Sequence, residues 1–187
     1  WGGKRTRVMF VGGGYDMAYE VDGYQPSTDL AASNANQGAG VYIFDADTGA
    51  LLWNARYAAT NNVTTTDVKH NQLRYSVVSQ IKAFDRNTDG LVDNLYFGDL
   101  GGQVWRVDLN NIVGTGTTNF GRITRLADFT AQKQRFYEMP TLTVHDQAGK
   151  RFGAVSLASG NRSFPLNKTN TSDNRIYVLH DYDLGAI

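Results

Sequence analysis

The sequence predicts an all-β domain, and three observations support this class. Short runs rich in Val, Ile, Phe, Tyr, Trp and Leu recur along the 187 residues, and Gly, Asn or Asp bounds each run. Helical periodicity is scarce. Only three prolines interrupt the chain, which suits antiparallel strands joined by tight turns. The predicted strands lie at residues 7–11, 41–45, 51–55, 76–84, 94–97, 103–108, 123–129, 141–144, 153–157 and 175–180.

The chain is also weakly repetitive. One unit is an apolar strand that ends in glycine, then a connection, then an apolar-aromatic-x-apolar strand that ends near Asp. Three such strand pairs occur, at 9–12 with 41–45, 95–98 with 104–108, and 155–160 with 176–181. The later strands of each pair are separated by roughly 60 to 70 residues, which is longer than a minimal four-stranded blade. The excess is expected in long loops at 15–40, 58–74 and 161–174.

Repeated antiparallel four-stranded units predict part of a β-propeller, a fold that has about four to eight blades. The chain holds about two and a half to three such units, so residues 1–187 are expected to form part of one propeller domain. The missing blades are expected N-terminal to Trp1 or elsewhere in a longer precursor. An open β-sandwich built from similar hairpins is the alternative.

A turn in the first repeat resembles the docking motif of quinoprotein-type propellers, A-x-D-x-x-T-G-x-x-x-W. Asp45, Thr48, Gly49 and Trp53 match that pattern, whereas Ile43 replaces the leading Ala. Gly49 takes a positive φ at little cost, and the Asp and Thr side chains cap the turn. In those proteins the motif locks neighbouring blades, so the match implies a quinoprotein-like fold and not an activity.

Composition excludes several function classes. Eighteen basic and eighteen acidic side chains cancel, which gives no electrostatic case for nucleic acid or an anionic membrane as the main partner. No apolar run approaches the roughly 20 residues of a transmembrane segment. Cysteine chemistry is impossible without cysteine, no G-x-S-x-G elbow occurs, and the three histidines lack metal-ligand spacing. We therefore expect that the protein is not an enzyme.

The sharpest motif in the chain is at residues 85–93, which read D-x-N-x-D-G-x-x-D. Calcium requires about six to eight oxygen ligands. Carboxylate and amide oxygens at alternate positions 1, 3 and 5 converge when the backbone winds around the ion. Gly90 at position 6 permits the sharp turn, and position 7 supplies a backbone carbonyl.

The residue that completes the ion's ligands in this loop differs from the one in the helix–loop–helix calcium site. There a bidentate Glu stands at position 12, which here is Tyr96, so closure is expected to fall to Asp93 at position 9. The predicted site is a shortened calcium loop between two strands, and a water completes the shell. Its ligands are the side chains of Asp85, Asn87, Asp89 and Asp93 and the backbone carbonyl of Leu91. The alternatives are a metal-free polar turn, or magnesium, which suits this donor set less well.

The segment 83–109 resembles the C-terminal propeller domain of the PilY family, the type IV pilus tip-associated adhesins and biogenesis factors. The loop itself and the following run LYFGDLGGQVWRVDL carry this resemblance. The glycine-rich strand end at 10–16 and the strand and turn at 38–49 are similar to further parts of that domain. The resemblance covers most of the chain up to Asn110, and it extends thinly to Asp181.

This resemblance implies properties that composition does not. The parent protein would be exported to the bacterial cell surface, at the pilus tip or in association with the outer membrane. Its partners would be minor pilins or other pilus tip proteins, and host or abiotic surfaces. Its roles would be pilus biogenesis, control of extension and retraction, and adhesion. The family's calcium loop corresponds residue by residue to the five predicted ligands.

Two other functions remain open from the sequence. A quinoprotein dehydrogenase would use the same docking motif, with calcium assisting a quinone cofactor. A carbohydrate-binding propeller is the other reading.

Overall fold

Twelve strands in three sheets make up the described part of the chain, which in the computed structural model is residues 1, 3–24, 36–111, 120–166 and 174–184. Two short 3₁₀ helices accompany them, Met17–Glu20 and Thr130–Gln132. No helix in these ranges has the length and apolar character needed to span a membrane. The strands are β1 Val8–Gly12, β2 Gly40–Asp45, β3 Leu51–Tyr57, β4 Asn62–Val63, β5 Asp67–His70, β6 Lys82–Phe84, β7 Asn94–Gly98, β8 Gln103–Leu109, β9 Gly121–Asp128, β10 Thr141–Gln147, β11 Lys150–Ala158 and β12 Ile176–Asp181.

The strands form three separate sheets, none of which closes on itself within the described ranges. Sheet A has the order β1-β2-β3-β5-β4, sheet B the order β6-β7-β8-β9, and sheet C the order β10-β11-β12. Sheets B and C are antiparallel throughout. The predicted all-β class is therefore confirmed, and sheet B has the four antiparallel strands expected of one unit.

Sheet B lies between the other two sheets, and its central strands are buried on both faces. Every residue of β7 and β8 is buried. Successive side chains of a strand point to opposite faces. Leu95 and Phe97 therefore join the apolar cluster shared with sheet A, whereas Tyr96 and Val104 join the cluster shared with sheet C.

Trp53 on β3 packs sheet A against sheet B. The turn before it is capped as the sequence predicts: Asp45 Oδ1 accepts the amide of Thr48 at 2.9 Å, and Gly49 has a φ of +73°. The indole of Trp53 is fully buried and lies against Gly121 at the start of β9. A Cβ atom on Gly121 would lie 2.6 Å from two ring atoms, so only glycine allows this close approach.

A buried ion network joins sheet B to sheet C. Arg106 Nη1 donates to Asp181 Oδ1 at 2.6 Å, and Arg106 Nε lies 2.8 Å from Asp108 Oδ1. The hydroxyl of Tyr96 donates to Asp181 Oδ2 at 3.0 Å. Burial, and then the negative charge of Asp181, raise the pKa of Tyr96, which keeps this hydroxyl protonated as a donor. Each charge in the interface therefore has a partner, as burial requires.

The turn between β7 and β8 is held by a buried carboxyl group. Asp99 Oδ1 accepts the amides of Gly101 and Gln103 at 3.0 and 2.9 Å, and Asp99 Oδ2 accepts Trp105 Nε1 at 2.9 Å. Burial raises the pKa of Asp99 to about 7, although these three donors oppose the rise. The hydrogen bonds to this buried carboxyl group thus hold the turn that joins β7 to β8.

One predicted strand is largely wrong. Residues 76–84 were expected to form one strand, but β6 includes only Lys82–Phe84. The backbone groups of Ser76 and Val77 instead form hydrogen bonds with loops elsewhere in the chain. Val77 donates to the carbonyl of Gly38 at 3.0 Å and accepts from Gly14 at 3.1 Å, and the carbonyl of Ser76 accepts from Leu100 at 3.0 Å. Their backbone groups are therefore not available for a regular ladder with β7.

The predicted loop at 58–74 is also wrong, because it contains β4 and β5. A turn between these strands is held by the amide of Asp67, which donates to Thr64 Oγ1 at 3.0 Å. Strand β5 pairs in parallel with β3, so sheet A has five strands and is not purely antiparallel. Sheet C has three strands within the described ranges, so neither sheet is there the predicted four-stranded unit. The other two predicted loops, 15–40 and 161–174, lie partly outside the described residues.

We predict that Gly121→Ala destabilises the fold by about 1–3 kcal/mol, because the added methyl group overlaps the buried indole of Trp53. Gly160→Ala is the matched control, since no atom lies within 4 Å of its Cβ position. Urea unfolding followed by circular dichroism measures both. Equal midpoints for the two variants would contradict this account of the A–B interface.

We predict that Asp181→Ala lowers the free energy of unfolding by about 3–5 kcal/mol, because it leaves the buried guanidinium of Arg106 without its partner across the B–C interface. Asp47→Ala removes an exposed partner of Arg7 and should cost about 0–1 kcal/mol. Thermal unfolding of both variants at neutral pH gives the comparison. A loss for Asp181→Ala no larger than that of the control would refute the proposed role of the network.

Candidate metal centre

The loop at residues 85–93 connects β6 to β7, the first two strands of sheet B. The amide of Asp93 donates to the carbonyl of Phe84 at 2.9 Å, which closes the base of the loop. The amide of Leu109 donates to the carbonyl of Asp93 at 2.7 Å, so the end of β8 also holds this base. The loop therefore projects from the half-buried strand β6 and the fully buried strand β7.

Asp85 organises the first half of the loop. Its Oδ1 accepts the amide of Thr88 at 2.7 Å, and its Oδ2 accepts the amide of Gly90 at 2.8 Å. Gly90 has a φ of +83°, and Thr88 also lies in the left-handed region with a φ of 62°. These positive φ angles wind the backbone around the Asp85 carboxylate, and glycine takes such a φ without strain.

The next two predicted ligands continue this winding. Asn87 Oδ1 accepts the amide of Asp89 at 3.0 Å, and Asp89 Oδ1 accepts the amide of Leu91 at 2.8 Å. Asn87 Nδ2 also donates to Asp89 Oδ2 at 3.1 Å. Asn87 and Asp89 are exposed, and Leu91 is half-buried. Side-chain oxygens at positions 1, 3 and 5 thus all bond inside the loop.

Asp93, the predicted closing ligand, is buried at the base of the loop. Its Oδ2 accepts the amide of Arg86 at 2.8 Å, which ties the two ends of the loop together. Asn111, which follows β8, donates its side-chain amide to the carbonyl of Val92 and lies 3.4 Å from Asp93 Oδ1. The sequence motif did not reveal Asn111, because it lies 18 residues away from Asp93.

The five predicted ligands lie on one turn, but their carboxylates do not form a cluster. Within the described ranges, no group of three or more Asp, Glu, His or Cys side chains is placed to hold a metal ion. The carboxylates of Asp85, Asp89 and Asp93 instead accept amides of their own loop. Because a carboxylate oxygen has two lone pairs, one that accepts an amide retains a second for a cation. The donor set therefore fits a hard cation, and a complete shell requires these side chains to turn inward.

Arg5 supplies a positive charge beside the loop. Arg5 Nη2 donates to the carbonyl of Asp89 at 2.8 Å, and its Nη1 lies 3.4 Å from the Cβ position of Gly90. The side chain is exposed and belongs to the segment before β1. Nothing in the local motif indicates this contact, which spans 84 residues of sequence. A guanidinium at this position offsets part of the negative charge of the loop.

Comparison with known proteins finds a similarity among solved structures. No protein-family model and no curated protein matches the chain. Among solved structures, the chain is similar to the C-terminal domain of PilY1 from Pseudomonas aeruginosa, with 19% identity and a TM-score of 0.51. The similarity covers 76% of this chain and 31% of that one, so the chain spans less than a third of the length of that structure. At this identity the likeness shows a shared fold, and it confirms the predicted resemblance at that level.

Proposed function

We propose that the chain is a calcium-binding β-propeller module of a type IV pilus tip-associated protein, without catalytic activity. The observation that carries this proposal is the loop at 85–93. Five residues with predicted oxygen ligands lie there on one wound turn, at the end of the hairpin formed by β6 and β7. In this proposal the parent protein is secreted to the bacterial cell surface, at the pilus tip or in association with the outer membrane.

Calcium is the cation that this loop suits best. The side chains of Asp85, Asn87, Asp89 and Asp93 and the carbonyl of Leu91 would hold it, with water completing the shell. All these donors are hard oxygens, and calcium accepts their irregular arrangement more readily than magnesium, which demands near-octahedral geometry. The residues themselves orient the loop, and the bound ion would supply the charge that draws the three carboxylates together.

The arrangement of the sheets supports a propeller. Three sheets are stacked face to face, and the Trp53 contact with Gly121 joins two of them, as a blade-docking motif would. Both ends of the stack expose apolar side chains. On sheet A, Met9 and Val11 are 47% and 40% exposed, and on sheet C, Ile176 and Val178 are 79% and 56% exposed. Further blades packed on these faces would bury that surface.

The pilus assignment rests on the fold likeness to the PilY1 C-terminal domain together with the resemblance of residues 83–109 to the PilY family. In this role the module binds minor pilins or other pilus tip proteins. It acts in pilus biogenesis, in control of extension and retraction, and in adhesion to host or abiotic surfaces. The balance of eighteen basic and eighteen acidic residues is consistent with a protein partner rather than nucleic acid.

Calcium would act on the fold through the base of the loop. Asp93, at the end of the loop, bonds to Phe84 and Arg86 at its start and, through its carbonyl, to the end of β8. Ordering this residue therefore stiffens the hairpin that enters the central sheet. At free calcium of 100 times the dissociation constant, linkage stabilises the folded state by about 2.7 kcal/mol. Such a gain is enough to switch a partner contact that depends on the loop.

We predict that the chain binds one calcium ion with a dissociation constant of roughly 10⁻⁶ to 10⁻⁴ M, and that Asp85→Ala or Asp89→Ala abolishes binding. Each substitution removes a ligand and an acceptor for loop amides. Calorimetric titration measures binding, and melting with and without calcium measures the linked stability. Asp146→Ala is the control, because this exposed residue also accepts a turn amide but lies in the β10–β11 hairpin.

Unchanged calcium heats in both loop variants would overturn the metal assignment. The pilus assignment is tested separately by passing purified minor pilins over the immobilised chain with calcium or with a chelator. Retention that requires calcium and is lost in Asp85→Ala supports the proposal. Failure to retain any minor pilin in either buffer counts against the pilus role and leaves the metal site to stand on the calorimetry.

We also predict that Arg5→Gln increases calcium affinity by roughly two- to fivefold at low salt, because it removes a positive charge that contacts the loop. Arg7→Gln is the matched control, since its partner Asp47 lies outside the loop. The difference between the two variants should shrink as salt is raised, because both side chains are exposed. Equal calcium affinities for the two variants at low salt would contradict a role for Arg5.

A further inference from the structure

Asp93 differs from the other side-chain ligands of the proposed calcium site, because it is buried. It is 5% exposed, whereas Asp85 is half-buried and Asn87 and Asp89 face solvent. Backbone hydrogen bonds to the end of β6 and the end of β8 hold its main chain. The orientation of its carboxylate therefore depends on groups outside the loop as well as on the loop itself.

The two oxygens of the Asp93 carboxylate have different surroundings. Oδ2 accepts the amide of Arg86 at 2.8 Å, which is an ordinary hydrogen-bond length. Among the described residues, the polar neighbour of Oδ1 is the side chain of Asn111, whose Nδ2 lies 3.4 Å away. A contact of this length is a weak hydrogen bond, and each carboxylate oxygen has two lone pairs. Oδ1 is therefore the oxygen that remains for a cation.

Asn111 reaches Asp93 from the end of β8. It lies two residues after Leu109, whose amide donates to the carbonyl of Asp93 at 2.7 Å. Between them, the amide of Asn110 donates to the carbonyl of Phe120 at 2.7 Å. These backbone hydrogen bonds hold the chain immediately before Asn111, so its side chain extends toward the loop from a fixed point.

The side-chain amide of Asn111 bridges two neighbouring residues of the loop. Its Nδ2 donates to the carbonyl of Val92 and also faces Oδ1 of Asp93. An amide nitrogen of this kind carries two hydrogens, so it can serve both acceptors. The bond to Val92 fixes the amide, and the second hydrogen then restrains rotation of the Asp93 carboxylate. Since Arg86 bonds to the other oxygen, the carboxylate is held at both of its oxygens.

Carboxylates that bind a metal ion are commonly held by hydrogen bonds from surrounding groups. Loss of such a group typically lowers metal affinity by about 10- to 100-fold. We propose that Asn111 is a positioning residue of the calcium site, which acts through Asp93 and not as a ligand. Its amide holds the Asp93 carboxylate in the orientation that leaves Oδ1 for the ion. This role of Asn111 rests on the proposed calcium site, and it makes calcium affinity depend on the end of β8.

Asn111→Leu tests this role, because it removes the donor and nearly keeps the shape of the side chain. The calcium dissociation constant is expected to rise by about 10- to 100-fold. Asn110→Leu is the matched control at the adjacent position, where the side chain makes no hydrogen bond with the described residues. It should leave the dissociation constant unchanged. Calorimetric titration measures both variants, and melting without calcium shows that each is folded.

A second measurement separates positioning from a purely structural role. Terbium(III) replaces calcium in oxygen-ligand sites, and its luminescence decay in light and heavy water counts the water molecules on the ion. Asn111→Leu is expected to add about one water, because the Asp93 carboxylate no longer faces the ion and water takes its place among the ligands. A role in holding the base of the loop alone would lower stability and leave the water count unchanged.

A double-mutant cycle tests whether Asn111 acts through Asp93. Asp93→Asn is measured alone and together with Asn111→Leu. If the amide works by orienting the carboxylate, Asn111→Leu has little further effect on calcium affinity once Asp93 is changed. Fully additive losses in the double variant would overturn the positioning role. If Asp93→Asn alone removes measurable binding, the terbium water count decides.

The results distinguish this role from the calcium site itself. If the unmodified chain does not bind calcium, the proposed site and the role of Asn111 both fail. If the unmodified chain and Asn110→Leu bind calcium, equal affinity and an equal water count in Asn111→Leu would overturn the role of Asn111 alone. Should Asn111→Leu not fold, Asn111→Ala replaces it in both measurements and is judged by the same outcomes.

Discussion

Burial of sheet B on both faces is the constraint on which the rest of the structure depends. Strands β7 and β8 have no exposed residue, so their side chains alternate between an interface with sheet A and one with sheet C. Polar groups in such strands need partners inside the protein. Arg106 finds Asp108 and Asp181, and Asp99 finds the amides and the indole of its own hairpin. The interfaces are therefore specific as well as apolar.

The same constraint restricts solvent-facing chemistry along β7 and β8 to the ends of these two strands. The loop at 85–93 is such an end, and its two halves differ in character. Asn87 and Asp89 face solvent, whereas Asp93 is buried and bonded to the strands. A cation held by both halves would couple an exposed turn to a rigid scaffold, which is how loops commonly acquire function. The nearby Arg5 links this loop to the segment before β1.

The fold likeness to the PilY1 C-terminal domain persists at 19% identity. Stacked sheets require apolar side chains at alternate positions, close-packing glycines and satisfied buried charges, and many different sequences meet these requirements. The interface between sheets A and B shows both outcomes of such packing. Trp53 against Gly121 closes one part of it tightly, whereas Val63, Val68 and Ile123 leave a cavity in another part.

The sequence by itself determined most strands, because the alternation of apolar residues and the turn chemistry that bounds it are local properties. It also determined the turn from Asp45 to Gly49 and the donor order of the loop at 85–93. Only the tertiary structure decided that β5 pairs in parallel with β3, that residues 76–77 bond to loops, and that Arg5 and Asn111 contact the loop at 85–93. Each of these features joins residues far apart in the chain or replaces a regular ladder with distant contacts. No local pattern encodes such choices, because they depend on which backbone groups the folded chain leaves available.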